Sequence, residues 1–372
     1  MAKHKLIRIS TIPISLNSFC RGMLRELSDT YDVIALSSPG DELNEIAQRE
    51  GVKTIAVPMQ RHISPIKDCI SLIRLIRVLK RERPTIVHSI TPKAGLLSMV
   101  AAKIAGVPIR IHTFTGLVFP TAKGLKQKLL ILTDKITCAC ATHIIPEGEG
   151  VKHDLETFGI TSKPMQVLGY GNIKGVDITY FTPNPTPHDR FTFLYIGRIA
   201  KDKGITELVD AFSSLRENAE LIIVGRLDNF DPIPKTTIKA IEQHPDIHMM
   251  PATNDVRPYY NQADCLILLS YREGFPNVVL EAGAMELPCI VTDINGSREI
   301  ISNGHNGLIV PTHNAEQLHE AMTYMIAHRE EAKQMGKNAR PIIVEKYEQS
   351  FVRQCLYDFY NQILNKERSI RK

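Results

Sequence analysis

The sequence predicts an α/β protein made of two doubly wound domains, each with a parallel sheet covered by helices. Short apolar strands alternate with helices along both halves, which is typical of βαβ units. The length of 372 residues exceeds what one ordinary hydrophobic core supports. Between the halves, residues 177–190 contain Pro183, Pro185 and Pro187, and proline at that density continues neither a helix nor a central strand.

In the first half, apolar runs predict strands, and apolar residues spaced three or four apart predict helices. Gly51 and Pro84 mark two of the helix ends, because both residues interrupt helical geometry. The predicted strands are residues 5–10, 32–38, 53–58, 85–89 and 109–114. The predicted helices are residues 19–28, 41–51, 64–84 and 94–106.

The second half repeats the alternation. Its predicted strands are residues 191–197, 220–225, 264–270 and 288–293. Its predicted helices are residues 205–217, a helix that begins near Asn277, and residues 349–372. We therefore expect domains at residues 1–182 and 183–345, and a C-terminal segment, 346–372, that packs back on the first domain. Two such domains would face a cleft with the loops beyond their carboxyl strand ends.

Charge is unevenly distributed along the chain. Residues 1–175 carry 24 Lys and Arg against 14 Asp and Glu, whereas residues 176–372 carry 21 against 26. A basic half suggests an anionic partner: a nucleic acid, a lipid headgroup surface or a phosphorylated acceptor. No apolar run is long enough to cross a bilayer and no secretory signal is evident, so we expect a cytoplasmic protein. The seven scattered cysteines lack a CxxC pair, which favours buried thiols.

The most distinctive motif is the segment 273–281, which follows the apolar run 264–270. Glu273 and Glu281 bracket a Gly, a Pro and Asn277, residues that favour a tight loop and a helix N-cap. Glu281 would lie one turn into the helix, on the face of Asn277. Amide groups at a helix start bind phosphates or hydroxyls, and carboxylates accept hydrogen bonds from sugar hydroxyls. Taken alone, the segment is equally compatible with a capped helix that carries exposed acids.

A second motif occupies residues 197–204, directly after the predicted strand 191–197. It places Arg198 and Lys203 on a loop bounded by glycines. Arginine binds a diphosphate through two parallel hydrogen bonds, and lysine acts as a compact point charge. A charged loop is usually only solvated, so this motif is also weak by itself.

In this order and spacing, the two motifs resemble the donor site of retaining glycosyltransferases of GT-B family 4, whose fold has two Rossmann-like domains. Residues 175–177, with Phe181 and Pro183, are similar to that family's GVD…F.P segment before the linker. Residues 88–116 resemble a segment of bacterial capsule and lipid-linked oligosaccharide transferases. The resemblance covers nearly the whole chain.

The resemblance implies a role for each matching residue. Arg198 and Lys203 would bind the donor diphosphate. Glu273 would contact the transferred sugar, and Glu281 would hold the ribose hydroxyls. Backbone groups around the start of the helix would contact sugar and phosphate. The remaining donor-binding residues are Gly197, Phe275, Pro276, Asn277, Val278 and Val279.

One loop departs from the family pattern. Many family members carry a His before the Gly in the loop that matches residues 113–116. Here that position is Thr115, followed by Gly116, and His112 lies three residues earlier. We place Thr115, Gly116 and His112 on the acceptor side and leave the identity of the sugar open.

The expected reaction is transfer of a hexose or N-acetylhexosamine with retention of configuration, by resemblance from a UDP-linked donor. No Asp-x-Asp triplet occurs in the chain, which weakens the case for a metal-held diphosphate. We expect Arg198 and Lys203 to replace the ion, so the site would need neither a metal nor a cofactor. The leaving phosphate would accept the proton of the acceptor.

The basic half suggests where the acceptor comes from. Cations cluster on the predicted helix 64–84 and after the Thr115 loop. They are Arg74, Arg77, Lys80, Arg81, Arg83, Lys123, Lys126 and Lys128. We expect the first domain to dock on anionic lipid at the inner face of the cytoplasmic membrane and to receive a glycan or a polyprenyl-diphosphate-linked sugar, in capsule, lipopolysaccharide or other polysaccharide biosynthesis. A solvated face without a partner is equally compatible with such a charge run.

Three other functions share features with this sequence. A sugar-nucleotide epimerase of the same overall fold would share the cations but would need no acceptor. A nicotinamide dehydrogenase is disfavoured because the glycine-rich segment 169–175 is followed by the proline-rich linker instead of a helix. A nucleic-acid-binding protein is disfavoured because the chain lacks Trp, has 6% aromatic residues and shows no recognition module.

Overall fold

The computed structural model describes residues 3–60 and 63–370, and the chain divides into two compact units between Lys174 and Gly175. This division lies upstream of the expected one after residue 182. Residues 175–182 and the C-terminal helix both belong with the second unit. The packing of that helix on the first domain stays a prediction.

The first unit is built around a parallel sheet. Its described strands are β1 (Lys5–Ile9), β2 (Asp32–Ser37), β3 (Lys53–Ala56), β4 (Ile86–Ile90), β5 (Ile109–Phe114) and β6 (His143–Pro146). They lie in the order β3-β2-β1-β4-β5-β6, and every neighbouring pair is parallel. The strands are rich in Ile, Val and Leu and are mostly buried, as expected of a sheet covered on both faces.

Helices cover the first sheet. They are α1 (Pro13–Cys20), α2 (Met23–Thr30), α3 (Asp41–Glu50), α4 (Pro65–Glu82), α5 (Pro92–Ile104), α6 (Gly124–Cys140) and α7 (Glu149–Thr157). Helix α1 contacts α3, whereas α4, α5 and α6 pack side by side with α5 in the middle. The prediction of one helix over residues 19–28 is wrong, because the chain breaks at Gly22, whose φ of +76° is not helical.

The second unit repeats the architecture. Its described strands are β7 (Phe191–Ile196), β8 (Ala219–Val224), β9 (Ile247–Met250), β10 (Cys265–Leu268), β11 (Cys289–Thr292) and β12 (Gly307–Val310). Their order is β12-β11-β10-β7-β8-β9, again with parallel neighbours. The two parallel sheets confirm the predicted pair of Rossmann-like domains.

The helices of the second unit include a long C-terminal pair. The described helices are α8 (Ile205–Ser213), α9 (Lys235–Gln243), α10 (Arg257–Gln262), α11 (Asn277–Ala284), α12 (Ser297–Ile300), α13 (Ala315–Ala327), α14 (Arg329–Tyr347) and α15 (Gln349–Ile370). Helix α11 packs on α14, and Gly283 makes this approach possible because a Cβ there would lie 2.8 Å from Ile343.

Three expectations concern the chain as a whole. Residues 177–190 contain neither helix nor strand, as their prolines predict. Five cysteines are buried, whereas Cys69 is exposed and Cys355 is partly exposed, and all seven are free thiols. Among the residues described, none of the helices has the length and apolar character needed to cross a membrane.

The start of the second unit is bound to the junction of α14 and α15. The amide of Val176 donates to the Tyr347 carbonyl at 2.8 Å, and the amide of Gln349 donates to the Val176 carbonyl at 3.0 Å. Gly175 has a φ of +67°, and a Cβ on it would lie 2.5 Å from the Gln349 Cα. Only glycine suits this position, because a side chain would meet both the φ penalty and the neighbouring backbone.

Gly175→Ala should therefore destabilise the second unit more than Gly304→Ala does. Gly304 has a φ of +77° but open space around its Cβ position, so its substitution carries the conformational cost alone, about 1–2 kcal/mol. Urea unfolding of both variants measures the difference. Equal urea midpoints for the two variants would show that the backbone around Gly175 accommodates the added Cβ without an additional loss of stability.

Candidate active site

The candidate site lies where the strand order of the second sheet reverses. Strands β7 and β10 are neighbours, but β8 and β9 extend the sheet beyond β7, whereas β11 and β12 extend it beyond β10. Ligands of open α/β sheets bind at such switch points, outside the carboxyl ends of the strands. The loops that leave β7 and β10 there are residues 197–204 and 269–276, which contain the two motifs found in the sequence.

Glycines allow these loops to approach each other and their neighbours. Gly204 has a φ of +67°, and a Cβ on it would lie 2.4 Å from the Leu269 carbonyl oxygen. A Cβ on Gly225, after β8, would lie 1.9 Å from the Gly197 carbonyl oxygen. Since real Cβ atoms do not approach so closely, side chains at these positions would push the loops apart.

An ion pair joins the two motifs. Lys203 Nζ donates to Glu273 Oε1 at 2.5 Å, and Ser270 Oγ donates to the same oxygen at 2.7 Å. The side chains of Lys203 and Glu273 are 15% and 20% exposed, so the pair is sheltered but open to a ligand. The structure thus brings together two residues that are distant in sequence and that the sequence assigned to the same site.

Arg198 is held between two carboxylates. Its guanidinium donates to Asp228 Oδ2 through Nη1, and Nη2 lies 3.4 Å from both oxygens of Asp202. Asp202 also accepts from Arg272 Nη2 at 3.0 Å. Burial disfavours the charged guanidinium, but the hydrogen bond to Asp228 and both carboxylate charges outweigh it, so the pKa of Arg198 is raised. The side chain therefore remains a fixed cation at the carboxyl edge of β7.

The backbone of the Arg198 loop is held in place by a tyrosine of β7. The Tyr195 hydroxyl donates to the Arg198 carbonyl oxygen at 2.6 Å. Tyr195 is almost fully buried, and this burial raises the pKa of its hydroxyl. A neutral phenol is the form that can donate this hydrogen bond.

The segment 274–279 turns from the loop into α11. Phe275 is buried and packs on Tyr347, with ring centroids 5.3 Å apart. Gly296 (φ +74°) lets the chain after β11 pass close by, because a Cβ there would lie 2.4 Å from the Gly274 carbonyl oxygen. The expected N-cap at Asn277 is wrong: Pro276 occupies the cap position, and Asn277 is the first helical residue. Because Asn277 is itself a helical residue, it cannot also be the N-cap, which is the residue before the first helical one.

One amide and one carboxylate of α11 are already engaged by hydrogen bonds within the protein. The Val279 amide donates to the Pro276 carbonyl at 3.1 Å, so it is already engaged within the chain. Glu281 follows Asn277 by one turn, as predicted. Its carboxylate is mostly buried and accepts a hydrogen bond from the Tyr260 hydroxyl at 3.2 Å. Tyr260 therefore fixes the orientation of this second carboxylate.

The residues assigned to the acceptor side lie in the first unit. Thr115 and Gly116 are half-buried in the loop after β5, and Gly116 has a φ of +111°. His112 lies inside β5, 1% exposed, with Nδ1 2.8 Å from Ser89 Oγ. Burial lowers the pKa of His112 to about 3, so its ring is neutral. Thr115 and Gly116 are therefore partly accessible to a ligand, whereas the side chain of His112 is not.

Several residues of the site were not identified from the sequence: Asp202, Tyr260, Ser270, Arg272 and Asp228. Four of them follow strands β7, β8 and β10 at the same sheet edge, so the rule that ligand-binding residues follow strands could have found them. Tyr260, on α10, is identified only by its contact with Glu281. Within the part of the chain that the structure describes, no group of three His, Cys, Asp or Glu side chains is placed to hold a metal ion.

The geometry suits a ligand that carries both phosphates and hydroxyls. Arg198 and Lys203 supply hydrogen-bond donors with positive charge, which bind phosphate oxygens. Glu273 and Glu281 supply acceptors for hydroxyl groups. Arg198, Lys203 and Glu273 lie on two adjacent strand-to-helix connections of one sheet edge, and Glu281 lies one turn into the helix that follows.

Comparison with known proteins agrees with this chemistry. Residues 16–171 match the family model described as glycosyl transferase 4-like domain, and residues 177–341 match the model described as glycosyl transferases group 1. The capsular polysaccharide biosynthesis glycosyltransferase CapM of Staphylococcus aureus is 32% identical over 382 residues, which covers 98% of each chain.

Two further matches extend the comparison. The Escherichia coli UDP-Gal:α-D-GlcNAc-diphosphoundecaprenol α-1,3-galactosyltransferase is 27% identical over 93% of this chain and 94% of its own. The Anabaena protein HepE, solved in complex with UDP, shares the fold with a TM-score of 0.79 at 13% identity, over 96% of this chain and all of HepE. The alternative of an epimerase gains no support from these matches. With both halves matched by glycosyltransferase models and CapM matched over nearly its whole length, this chain belongs to family 4 of the GT-B glycosyltransferases.

Proposed function

We propose that this enzyme transfers a hexose or N-acetylhexosamine from a UDP-linked donor to a glycan or polyprenyl-diphosphate-linked sugar. The observation that carries the proposal is the ion pair between Lys203 and Glu273, which lies with Arg198 at the switch point of the second sheet. The relatives support the biological setting, because CapM acts in capsular polysaccharide biosynthesis and the Escherichia coli enzyme uses a diphosphoundecaprenol-linked acceptor. The complex of HepE with UDP supports UDP as the nucleotide.

The donor diphosphate binds to Arg198 and Lys203. The ammonium group of Lys203 has three N–H donors, so it can keep its bond to Glu273 and still donate to a phosphate oxygen. Arg198 is bound firmly to Asp228 through Nη1, but its 3.4 Å contacts to Asp202 through Nη2 are long. That end of the guanidinium can turn to the diphosphate.

The two glutamates bind the hydroxyl-bearing parts of the donor. Glu273, beside the diphosphate site, accepts hydrogen bonds from the transferred sugar. Glu281, one turn into α11 and oriented by Tyr260, accepts hydrogen bonds from the ribose. Backbone groups from Phe275 to Val278 contact the sugar and phosphate.

The transfer proceeds with retention. The bond between the sugar C1 and the diphosphate oxygen breaks, and the acceptor oxygen bonds to C1 on the same face. The acceptor proton passes to the leaving diphosphate, so no protein base is required. Negative charge grows on the leaving group, and Arg198 and Lys203 stabilise it as fixed cations in place of a metal ion.

The acceptor reaches the enzyme at an anionic membrane. All eight cations that predicted a basic surface are exposed in the first unit. Attraction between these side chains and acidic lipids concentrates the enzyme near polyprenyl-linked substrates, and added salt should weaken it. Thr115 and Gly116 lie in the loop assigned to the acceptor.

Release of nucleoside diphosphate from UDP-, GDP- and dTDP-sugars tests the proposal. Each donor is assayed with and without a membrane-lipid extract, in the presence of EDTA. We expect release from a UDP-sugar that depends on the lipid extract and persists in EDTA, because cationic side chains hold the diphosphate. Loss of activity in EDTA would contradict the metal-free mechanism, and isomerisation of the donor without acceptor would contradict the transfer itself.

Lys203→Ala should slow transfer by about tenfold to about 150-fold. A charged hydrogen bond contributes roughly 1.5–3 kcal/mol, and about 1.36 kcal/mol corresponds to one decade in rate. Lys201→Ala is the matched control, because Lys201 is an exposed lysine two residues earlier in the same short helical turn. Steady-state kinetics of the two variants give the comparison. Equal rates would mean that charge near the loop, and not Lys203 itself, assists the reaction.

Glu273→Gln should lower the transfer rate by at least about tenfold while UDP binding is retained. The amide can still accept from Ser270, but it lacks the charge that strengthens hydrogen bonds to sugar hydroxyls. The substitution also releases Lys203 from its ion pair, so the diphosphate keeps its cation. Calorimetric titration with UDP and kinetics with the full donor separate the two effects. A parallel loss of UDP affinity would place Glu273 at the nucleotide and not at the sugar.

A further inference from the structure

Helix α6 presents an apolar stripe to solvent. Four large apolar side chains lie at intervals of four, three and four residues, so they share one face of the helix. They are Leu125, Leu129, Leu132 and Ile136. Leu125 is 84% exposed. The opposite face, with Asp134 and Cys138, is buried in the first unit, so the stripe is not part of the core.

Helix α4 carries a second stripe of the same kind. Ile66, Ile70 and Ile73 follow the same spacing, and Ile66 is 78% exposed. Leu75 and Leu79 are buried on the opposite side of the helix. Scattered apolar residues on a surface are ordinary, but two aligned stripes indicate a contact surface.

Positive charge borders both stripes. On α6, Lys126 lies on one side of the stripe and Lys128 and Lys135 on the other, all exposed. The acidic residue of α6, Asp134, is buried on the opposite face, where burial raises its pKa to about 7. The exposed face of α6 therefore carries no acid.

The cations of α4 continue its stripe towards the helix C-terminus. Arg74, Arg77, Lys80 and Arg81 are exposed there. The two acids of this helix are engaged by lysines from other elements: Asp68 pairs with Lys93, and Glu82 lies 2.9 Å from Lys53. Both stripes belong to one layer of helices, because α5 packs against α4 on one side and α6 on the other.

Building on the membrane docking that is part of the proposed function, we propose that α4 and α6 insert their apolar stripes into the interface of an anionic bilayer. Helices with one apolar face bordered by Lys and Arg bind in this way, with apolar side chains among the acyl chains and cations at the headgroups. A second copy of this chain fits the surface less well, because like charges on the two copies would face each other. The anchor is thus partly apolar, which electrostatic attraction alone does not supply.

Flotation with vesicles of phosphatidylcholine, with or without phosphatidylglycerol, tests the surface. Wild-type protein should float with the anionic vesicles, and about 0.5 M salt should weaken the binding without abolishing it. The double variant Leu129→Gln/Leu132→Gln should bind at least about tenfold more weakly, because two inserting side chains are lost. Val344→Gln is the matched control, since Val344 is similarly exposed on α14 of the second unit and should bind like wild type.

Cys69 provides a direct probe of α4. It is the exposed thiol of this helix and lies beside Ile66, Ile70 and Ile73. An environment-sensitive fluorophore on Cys69, in a Cys355→Ser background, should shift to the blue with anionic vesicles and not with neutral ones. An unshifted spectrum would overturn the role of α4.

The remaining outcomes are equally decisive. Unchanged flotation of the double variant, or no flotation of the wild type, would overturn the proposal. A dimer in light scattering that the same variant dissociates, without vesicle binding, would assign the stripes to a second copy. The vesicles contain neither donor nor acceptor, so these results are independent of the proposed transfer. An unchanged circular dichroism spectrum and urea unfolding midpoint show that the double variant is folded, since its substitutions lie in the first unit.

Discussion

The close approach of two loops at the switch point of the second sheet is the constraint on which the site depends. Gly204 and Gly225 leave no room for a Cβ, so the connections after β7, β8 and β10 lie against one another. This approach places Lys203 within hydrogen-bond distance of Glu273, although their motifs are separate in the sequence. The ion pair is therefore a consequence of backbone packing, and the glycines are as necessary to the site as its charged residues.

Much of this could be predicted from the sequence, because strand–helix alternation fixes where parallel strands end. Residues that follow β7 and β10 meet at one edge whatever their separation along the chain. The capping position was harder to place, since Pro276 and Asn277 are adjacent and helix boundaries shift by a residue or two. The break at Gly22 was missed because the surrounding apolar spacing continues through it. Tyr260, which orients Glu281, lies on another element and was beyond sequence patterns.

The charges of the site are nearly balanced, which affects how it would bind the proposed donor diphosphate. Each of the cations Arg198, Lys203 and Arg272 already donates to a carboxylate. A doubly charged ligand must therefore compete with Asp202, Asp228 or Glu273 for donors. The long contacts between Arg198 and Asp202 are the ones most easily exchanged, because hydrogen bonds weaken steeply with distance. Carboxylates that hold the cations in place also limit binding of simple anions, since these offer fewer contacts in return.

Apolar spacing in the sequence identifies α4 as a helix, but it does not show which of the apolar side chains face solvent. In α4, Leu75 and Leu79 face the core while Ile66, Ile70 and Ile73 face solvent, and all five residues look alike in a hydrophobicity pattern. A helix that is apolar on two faces predicts burial on both. The neighbouring α5 covers only part of α4, so the second face stays exposed. The charge runs in the sequence indicate that this region is basic. Only the burial of each side chain distinguishes an amphipathic anchor from a solvated basic helix. This difference decides whether binding to lipid persists when salt screens the cations.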